Sequence, residues 1–196
     1  MIFNVIITGI GGQGVVTAAG LLRLAVVSAG YRLTGADNRG GAQRLGHVSA
    51  VLRLTDEDDA IRPLSPEIPF GTCHLLVSLE ASEGLRFSRL LGPETVVVMN
   101  RRLTVPTNRR RDRLPYVTLG ECHAAYSAAA KKVIDLDADR MAGTSFKKPV
   151  LGNLIALGAG LSCGSPPGIV ERITSHLDGD SLAAFRLGYS GQGVTT

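Results

Sequence analysis

Ile2-Phe3-Asn4-Val5-Ile6-Ile7-Thr8, followed by Gly9-Ile10-Gly11-Gly12-Gln13-Gly14, is the stretch that decides the fold. Its first seven residues are rich in β-branched side chains and are closed by glycine, the pattern of a short buried parallel strand. From Val15 to Ala29 small and apolar residues recur at helical spacing, and Gly30 supplies a stop. Strand, glycine turn and helix in that order open an α/β unit.

Outward from this unit, Tyr31-Arg32-Leu33-Thr34 reads as a short second strand, and Gly40, Gly41 and Gly46 mark a loop before a strand at Val48–Leu54. The acidic run Thr55–Asp59 with Pro63, Pro66 and Pro69 reads as a surface excursion, because proline removes a ladder donor and fixes φ. Strands are predicted at Leu75–Leu79, ending at Glu80, at Thr95–Met99 and at Val133–Leu136, with helices over Ala81–Leu91 and Glu121–Lys132 between them. Helical patterns then cover Leu151–Leu161, Pro167–Leu177 and Ser181–Leu187, and the small polar residues Ser190–Thr196 read as a disordered tail. This alternation predicts a Rossmann-like α/β fold: a mainly parallel sheet flanked by helices, one domain over residues 1–189, with a helical C-terminal part.

With 196 residues, 44% of them hydrophobic and 19% charged, the chain has the composition of a globular domain, and disorder and collagen-like repeats are excluded. No run approaches the ~20 apolar residues of a membrane span, and Met1 leads straight into the first strand without a basic leader, so a cytoplasmic protein is expected. The absence of tryptophan and an aromatic share of 5% leave few stacking platforms, so nucleic acid is not an expected partner. Cys73, Cys122 and Cys163 form no CxxC pair and no ferredoxin spacing, and His47, His74, His123 and His176 are dispersed; no iron–sulfur cluster or other metal is expected on this chain.

Gly9, Gly11 and Gly14 satisfy G-x-G-x-x-G in the strand–turn–helix context that lets backbone N–H groups approach a phosphate. A dinucleotide site also needs an acidic residue about 20 residues further on, and Asp37 is the nearest. The other reading of the turn is close packing of helix on sheet. Six arginines between Arg101 and Arg113 form either a solvated loop or a seat for a phosphate ligand. Glu80, at a predicted strand end, either presents a functional carboxylate or caps the next helix, and His47 is either a surface strand residue or part of the neighbouring loop's chemistry. Adjacency of Cys122 and His123 does not by itself set a thiol against a base.

Three segments carry a resemblance. Gly9-Ile10-Gly11-Gly12-Gln13-Gly14-Val15 with Ala18-Ala19, Gly40-Gly41-Ala42-Gln43-Arg44-Leu45-Gly46-His47-Val48 with Val51-Leu52-Arg53, and Leu151-Gly152-Asn153-Leu154-Ile155-Ala156-Leu157-Gly158 together resemble the gamma subunits of 2-oxoacid:ferredoxin oxidoreductases, with the indolepyruvate branch the most similar. Leu45 stands where that family often has glycine after Gln-Arg, and Ala36-Asp37-Asn38-Arg39 lacks the glutamate often found upstream.

The resemblance implies oxidative decarboxylation of a 2-oxoacid, with indolepyruvate or another aryl pyruvate as the candidate acid, to acyl-coenzyme A with electrons passed to ferredoxin. It implies that thiamine diphosphate and iron–sulfur clusters sit in large catalytic partner subunits, that coenzyme A is a cosubstrate of the complex, and that this chain alone binds no cofactor and is inactive. Ferredoxin is then an indirect partner, and an isolated chain is expected to pair with itself. Gln43 and Arg44 are the residues expected to face the partner's active-site region, although Arg44 would equally hold a carboxylate of its own chain. Asn153 either caps its helix or bonds across the interface. Gly9, Gly11, Gly12, Gln13 and Gly14 form the phosphate-approaching loop. Two other functions compete: a stand-alone dinucleotide-binding oxidoreductase and a non-catalytic phosphate-ligand regulatory module.

Overall fold

The computed structural model describes residues 1–40, 46–57 and 64–191. Strand β1 (Ile2–Ile10) leads through the glycine turn into α1 (Val15–Ser28), and then come β2 (Arg32–Arg39) and β3 (His47–Thr55). Strand β4 (Leu75–Ser78), a 3₁₀ helix (Gly84–Leu90), β5 (Val96–Asn100), α2 (Thr107–Arg111), α3 (Leu119–Ala129) and β6 (Lys132–Leu136) follow. The rest is helical: α4 (Ala138–Phe146), α5 (Gly152–Leu161), α6 (Ile169–Ser175) and α7 (Gly179–Tyr189).

The six strands form one sheet in the order β2-β3-β1-β4-β5-β6. Strands β1, β4, β5 and β6 run parallel, as the alternating pattern predicts. Strands β2 and β3 form an antiparallel hairpin that places β3, not β2, beside β1. Strands β4 and β5 and most of β1 are buried on both faces, which is why they read as apolar runs, whereas the edge strand β6 keeps Lys132 exposed. Val5, Ile7, Leu52, Leu75 and Val77 face α1 and α5, while Ile6, Leu76, Val97 and Met99 pack with Cys122 and Tyr126 of α3.

All ten residues of α5 are buried. This central helix meets α7 backbone to backbone: a Cβ on Gly188 would lie 2.0 Å from the Ile155 carbonyl oxygen, and one on Gly158 would lie 2.3 Å from that of Phe185. Only glycine permits the crossing, which explains the glycine punctuation of this apolar segment.

Three local expectations are corrected. The helix predicted over Ala81–Leu91 is a turn followed by the 3₁₀ helix; Gly84 is pressed against Ser78 and the Tyr126 hydroxyl, leaving room for a tight segment only. The basic stretch contains a short helix, α2. Helix α4 was not anticipated, since only Ala138 and Ala142 of its nine residues are buried; Asp137 caps it by accepting from the Arg140 amide at 3.1 Å.

At the start of the sheet, the Asn4 amide donates to His74 Nδ1 at 3.1 Å, and the Phe3 ring lies 5.1 Å from the imidazole. Burial lowers the His74 pKa below its ordinary 6.5, partly offset by the nearby Glu94 carboxylate. The unfolded chain therefore binds the proton more readily than the folded one, so stability must fall as pH drops below about 6.5 and through the lower folded value. Thermal melts between about pH 7.5 and 5.5 should show a smaller loss for His74→Gln than for the natural chain. Equal losses would remove His74 from the acid sensitivity.

Candidate functional site

Parallel α/β sheets offer ligands the space beyond the carboxyl ends of their strands, and here the ends of β1, β4 and β5 converge on one polar cluster. Gly12 and Gly14 hold positive φ, +95° and +81°, and turn β1 into α1 in four residues. Gln13 folds back across this turn. Its Oε1 accepts from the Ile10 amide at 2.9 Å, and its Nε2 donates to Glu80 Oε2 at 2.7 Å.

Glu80, 1% exposed at the end of β4, is the hub of the cluster. It accepts from Gln13, from the Thr104 amide and from Thr104 Oγ1 at 3.1 Å, with Arg102 Nε 3.9 Å away. Glu80 thus caps no helix; it ties the glycine turn to the segment that follows β5. Next to it, Glu83 Oε2 lies 2.5 Å from His47 Nδ1 and accepts from Arg86 Nε at 2.7 Å, while His47 Nε2 is 3.2 Å from Ser49 Oγ. His47 is accordingly fixed between two partners rather than loose on a strand surface.

Two openings flank Ile10. A cleft of about 440 Å³ runs along Gly11, Gly12, Gly14, Thr17, Arg39 and Val150. A cavity of about 240 Å³ lies among Glu80, Ser82, Glu83, Thr104 and Tyr116, whose hydroxyl donates to Ser82 Oγ at 2.9 Å.

Of the residues singled out in the sequence, Gly9, Gly11, Gly12, Gln13, Gly14 and Asn153 come together. Leu151, not Asn153, occupies the N-cap of α5. The Asn153 amide instead donates to the Gly14 carbonyl at 3.1 Å and clasps the turn from below. Gln43 and Arg44 lie outside the described residues. The ends of their loop are rooted at the site, because the Gly11 amide donates to the Gly46 carbonyl at 3.0 Å and the Gly40 amide to that of His47 at 2.7 Å.

Glu83, Ser49 and Thr104 were missed by sequence reasoning, since their importance rests on partners 36, 2 and 24 residues away. Gln13 in the glycine turn, the strand-end position of Glu80 and His47 beside the neighbouring loop were the sequence signals that pointed towards this cluster.

The dinucleotide reading loses its acid. Asp37 belongs to β2, separated from β1 by β3, and its carboxylate pairs with Arg23 of α1. Much of the basic stretch is also neutralised within the chain: Arg101 pairs with Asp135 at 3.0 Å, Arg102 with Asp139 at 2.8 Å and Arg111 with Asp112 at 2.9 Å. Cys73 and Cys122 are buried, and burial raises both thiols, that of Cys73 to about 12, which does not suit a nucleophile. Cys163 is exposed. Among the described residues no three His, Cys, Asp or Glu side chains converge as metal ligands, so the donors present do not fit an iron–sulfur cluster. Among them, too, no helix is long and apolar enough to cross a membrane.

Comparison with known proteins adds an independent line. Residues 4–194 match the family described as pyruvate ferredoxin/flavodoxin oxidoreductase. The indolepyruvate oxidoreductase subunit IorB of Archaeoglobus fulgidus is 28% identical over 97% of this chain and 95% of its own length. Its counterpart from Pyrococcus horikoshii is 31% identical over 80% of this chain and 75% of its own. Among solved structures, the gamma subunit of a keto/oxoacid ferredoxin oxidoreductase from Geobacter sulfurreducens superposes with a TM-score of 0.63 at 16% identity, covering 96% of both chains. A 2-oxoglutarate:ferredoxin oxidoreductase from Magnetococcus marinus, solved with 2-oxoglutarate, coenzyme A and succinyl-coenzyme A, gives 0.65 at 13% identity over 96% of this chain and 30% of that longer one. At these identities the structural likeness is one of fold.

Proposed function

The chain belongs to the pyruvate ferredoxin/flavodoxin oxidoreductase family, and on that premise we propose that it is the small, non-cofactor-bearing subunit of a thiamine-diphosphate- and iron–sulfur-dependent 2-oxoacid:ferredoxin oxidoreductase of the cytoplasm. The observation that carries this reading is the end-to-end similarity to indolepyruvate oxidoreductase subunits, which spans nearly the full length of both chains. The same similarity favours indolepyruvate or another aryl pyruvate as the acid converted to its acyl-coenzyme A.

The lack of three converging His, Cys, Asp or Glu side chains among the described residues supports a reading in which the cofactor chemistry belongs to large partner subunits, which would pass electrons on to ferredoxin. This chain's part is to close the partner's site. The rim formed by the glycine turn and Arg39 would cover the substrate or coenzyme A channel and exclude water. Gly12 lines the cleft with open space where a side chain would stand, so a phosphate could approach the backbone of the turn there, whereas the Gly11 amide is already bonded to the Gly46 carbonyl. Arg44 would hold an oxoacid carboxylate or a coenzyme A phosphate through its planar fork, and Gln43 beside it donates or accepts as needed. Gln13, Glu80 and Asn153 hold the rim in place.

The test is an anaerobic pull-down of the tagged chain from its native extract, followed by viologen reduction dependent on a 2-oxoacid, thiamine diphosphate and coenzyme A. A cluster-containing large chain should co-purify, and aryl pyruvates should be oxidised fastest, giving the highest rate of viologen reduction. Arg44→Ala should lower turnover by about 10–100-fold, the worth of one charge-assisted contact, while leaving co-purification intact. A chain that comes down alone or paired with itself, inactive with every 2-oxoacid, overturns the reading.

A further inference from the structure

Arg53 of β3 is 6% exposed, yet no carboxylate among the described residues pairs with it. Its Nε donates to Asn4 Oδ1 at 2.9 Å, and its Nη1 to the Ser65 and Glu67 carbonyls at 2.7 and 2.6 Å. Taking a guanidinium out of water is costly unless an anion compensates it, and neutral acceptors compensate only part.

The second terminal nitrogen, Nη2, donates to no group among the described residues. No side-chain polar atom among the described residues is both buried and unpartnered, so Nη2 reaches the surface. The opening beside it is a cleft of about 390 Å³ lined by Arg53, Ser65, Glu67, Ile68, Pro69 and Phe70.

The wall of this cleft is unusual. Phe70 is 74% exposed, but its turn is fixed: Thr72 donates to the Pro69 carbonyl through its amide at 3.3 Å and its hydroxyl at 2.9 Å, and the Gly71 amide donates to Arg89 O at 3.1 Å. An aromatic ring is thereby presented beside a cation with little freedom to collapse. Strand alternation puts Ser49, Val51 and Arg53 on one face, and a second cleft of about 470 Å³, with Val51, Ile68, Phe87 and Leu90 in its walls, shares Glu67 and Ile68 with the first. The two form a groove with an apolar floor and N–H donors at one end. Arg53 pairs in register with Asn4 and His47 with Ile10, so this end lies six residues, roughly 20 Å, from the glycine turn.

We propose that this groove is a binding site for a small apolar carboxylate, whose anionic end meets Arg53 Nη2 and whose aryl or alkyl body lies against Phe70 and Ile68. The apolar walls favour a ligand with an aryl or alkyl body over a bare phosphate, which has none to bury. The site does not depend on the subunit reading above.

The full-length chain labelled with ¹⁵N should be titrated with phenylacetate, acetate and inorganic phosphate. Phenylacetate is expected to give saturable shifts at the Ile68 and Phe70 amides and the Arg53 Nε–H, with a dissociation constant of about 1 mM, and acetate and phosphate to bind at least about fivefold more weakly. Phe70→Ala removes an exposed ring and should weaken phenylacetate about three- to tenfold in a folded chain. Arg53→Gln should abolish the shifts, and the Phe70 variant keeps the test decisive if that chain does not fold. An acetylated, amidated Asp-Phe peptide distinguishes the source of the carboxylate: peptide binding without phenylacetate binding overturns the free-acid ligand. No saturable shift with any probe up to about 20 mM, or an unchanged constant in Phe70→Ala, overturns the site.

Discussion

Glu80→Ala is expected to lower the unfolding free energy by about 3–5 kcal/mol, because it strands buried donors instead of removing a surface charge. Gln13 Nε2, the Thr104 amide and Thr104 Oγ1 all donate to this carboxylate, and at 1% exposure water has no ready access to replace it. Glu80→Gln keeps the shape but turns one acceptor oxygen into a donor facing donors, so a smaller loss of about 1–3 kcal/mol is expected. The loss should be shared with the glycine turn, since Gln13 holds the Ile10 amide with its other end. A double-mutant cycle with Gln13→Ala, read from urea midpoints, should give a coupling of about 1–2 kcal/mol. If Glu80→Ala costs less than about 1 kcal/mol, the carboxylate is not the hub that its contacts make it.

The parts of this fold that were legible in the sequence are those governed by local chemistry. The turn after β1 was readable because positive φ at Gly12 and Gly14 leaves a glycine signature, and α1 because its packing repeats every three to four residues. The antiparallel insertion of β3 beside β1 was not readable, since nothing within Val48–Leu54 states which neighbour it pairs with. That one pairing decides a functional question, because it carries Asp37 away from the turn and into an ion pair with Arg23. Helix α4 escaped notice for the opposite reason: it buries only two alanines, too little to write a period into its sequence. The site divides in the same way. Glycines and Asn153 were flagged by pattern, but the bond from Asn153 to Gly14 spans 139 residues, and the one from Gln13 to Glu80 spans 67. Partners so distant are set by the packing of α5 and β4 against the turn.

Gly14→Ala should be among the most damaging single-methyl changes in the chain, costing about 3–5 kcal/mol. Its φ of +81° strains any side chain by about 1–2 kcal/mol. The new Cβ would also stand 2.1 Å from Asn153 Nδ2 and 3.1 Å from its Cγ, and forcing a packed neighbour aside adds about 1–3 kcal/mol. Asn153→Ala alone should cost only about 1 kcal/mol, for the bond to the Gly14 carbonyl. Combining the two removes the clash but not the strain, so the pair should be less destabilising than the sum, with the difference read from urea midpoints. Gly12→Ala separates the terms: φ is +95° but no atom lies within 4 Å of the added Cβ, so strain alone remains. Full additivity of Gly14→Ala with Asn153→Ala would show that the clash does not govern the cost. The Gly12 variant also speaks to function, because that methyl projects where the cleft is open. If the turn meets a phosphate in the assembled complex, Gly12→Ala should raise the KM for coenzyme A with the fold intact; if the glycines serve only the packing of α1, KM should stay unchanged.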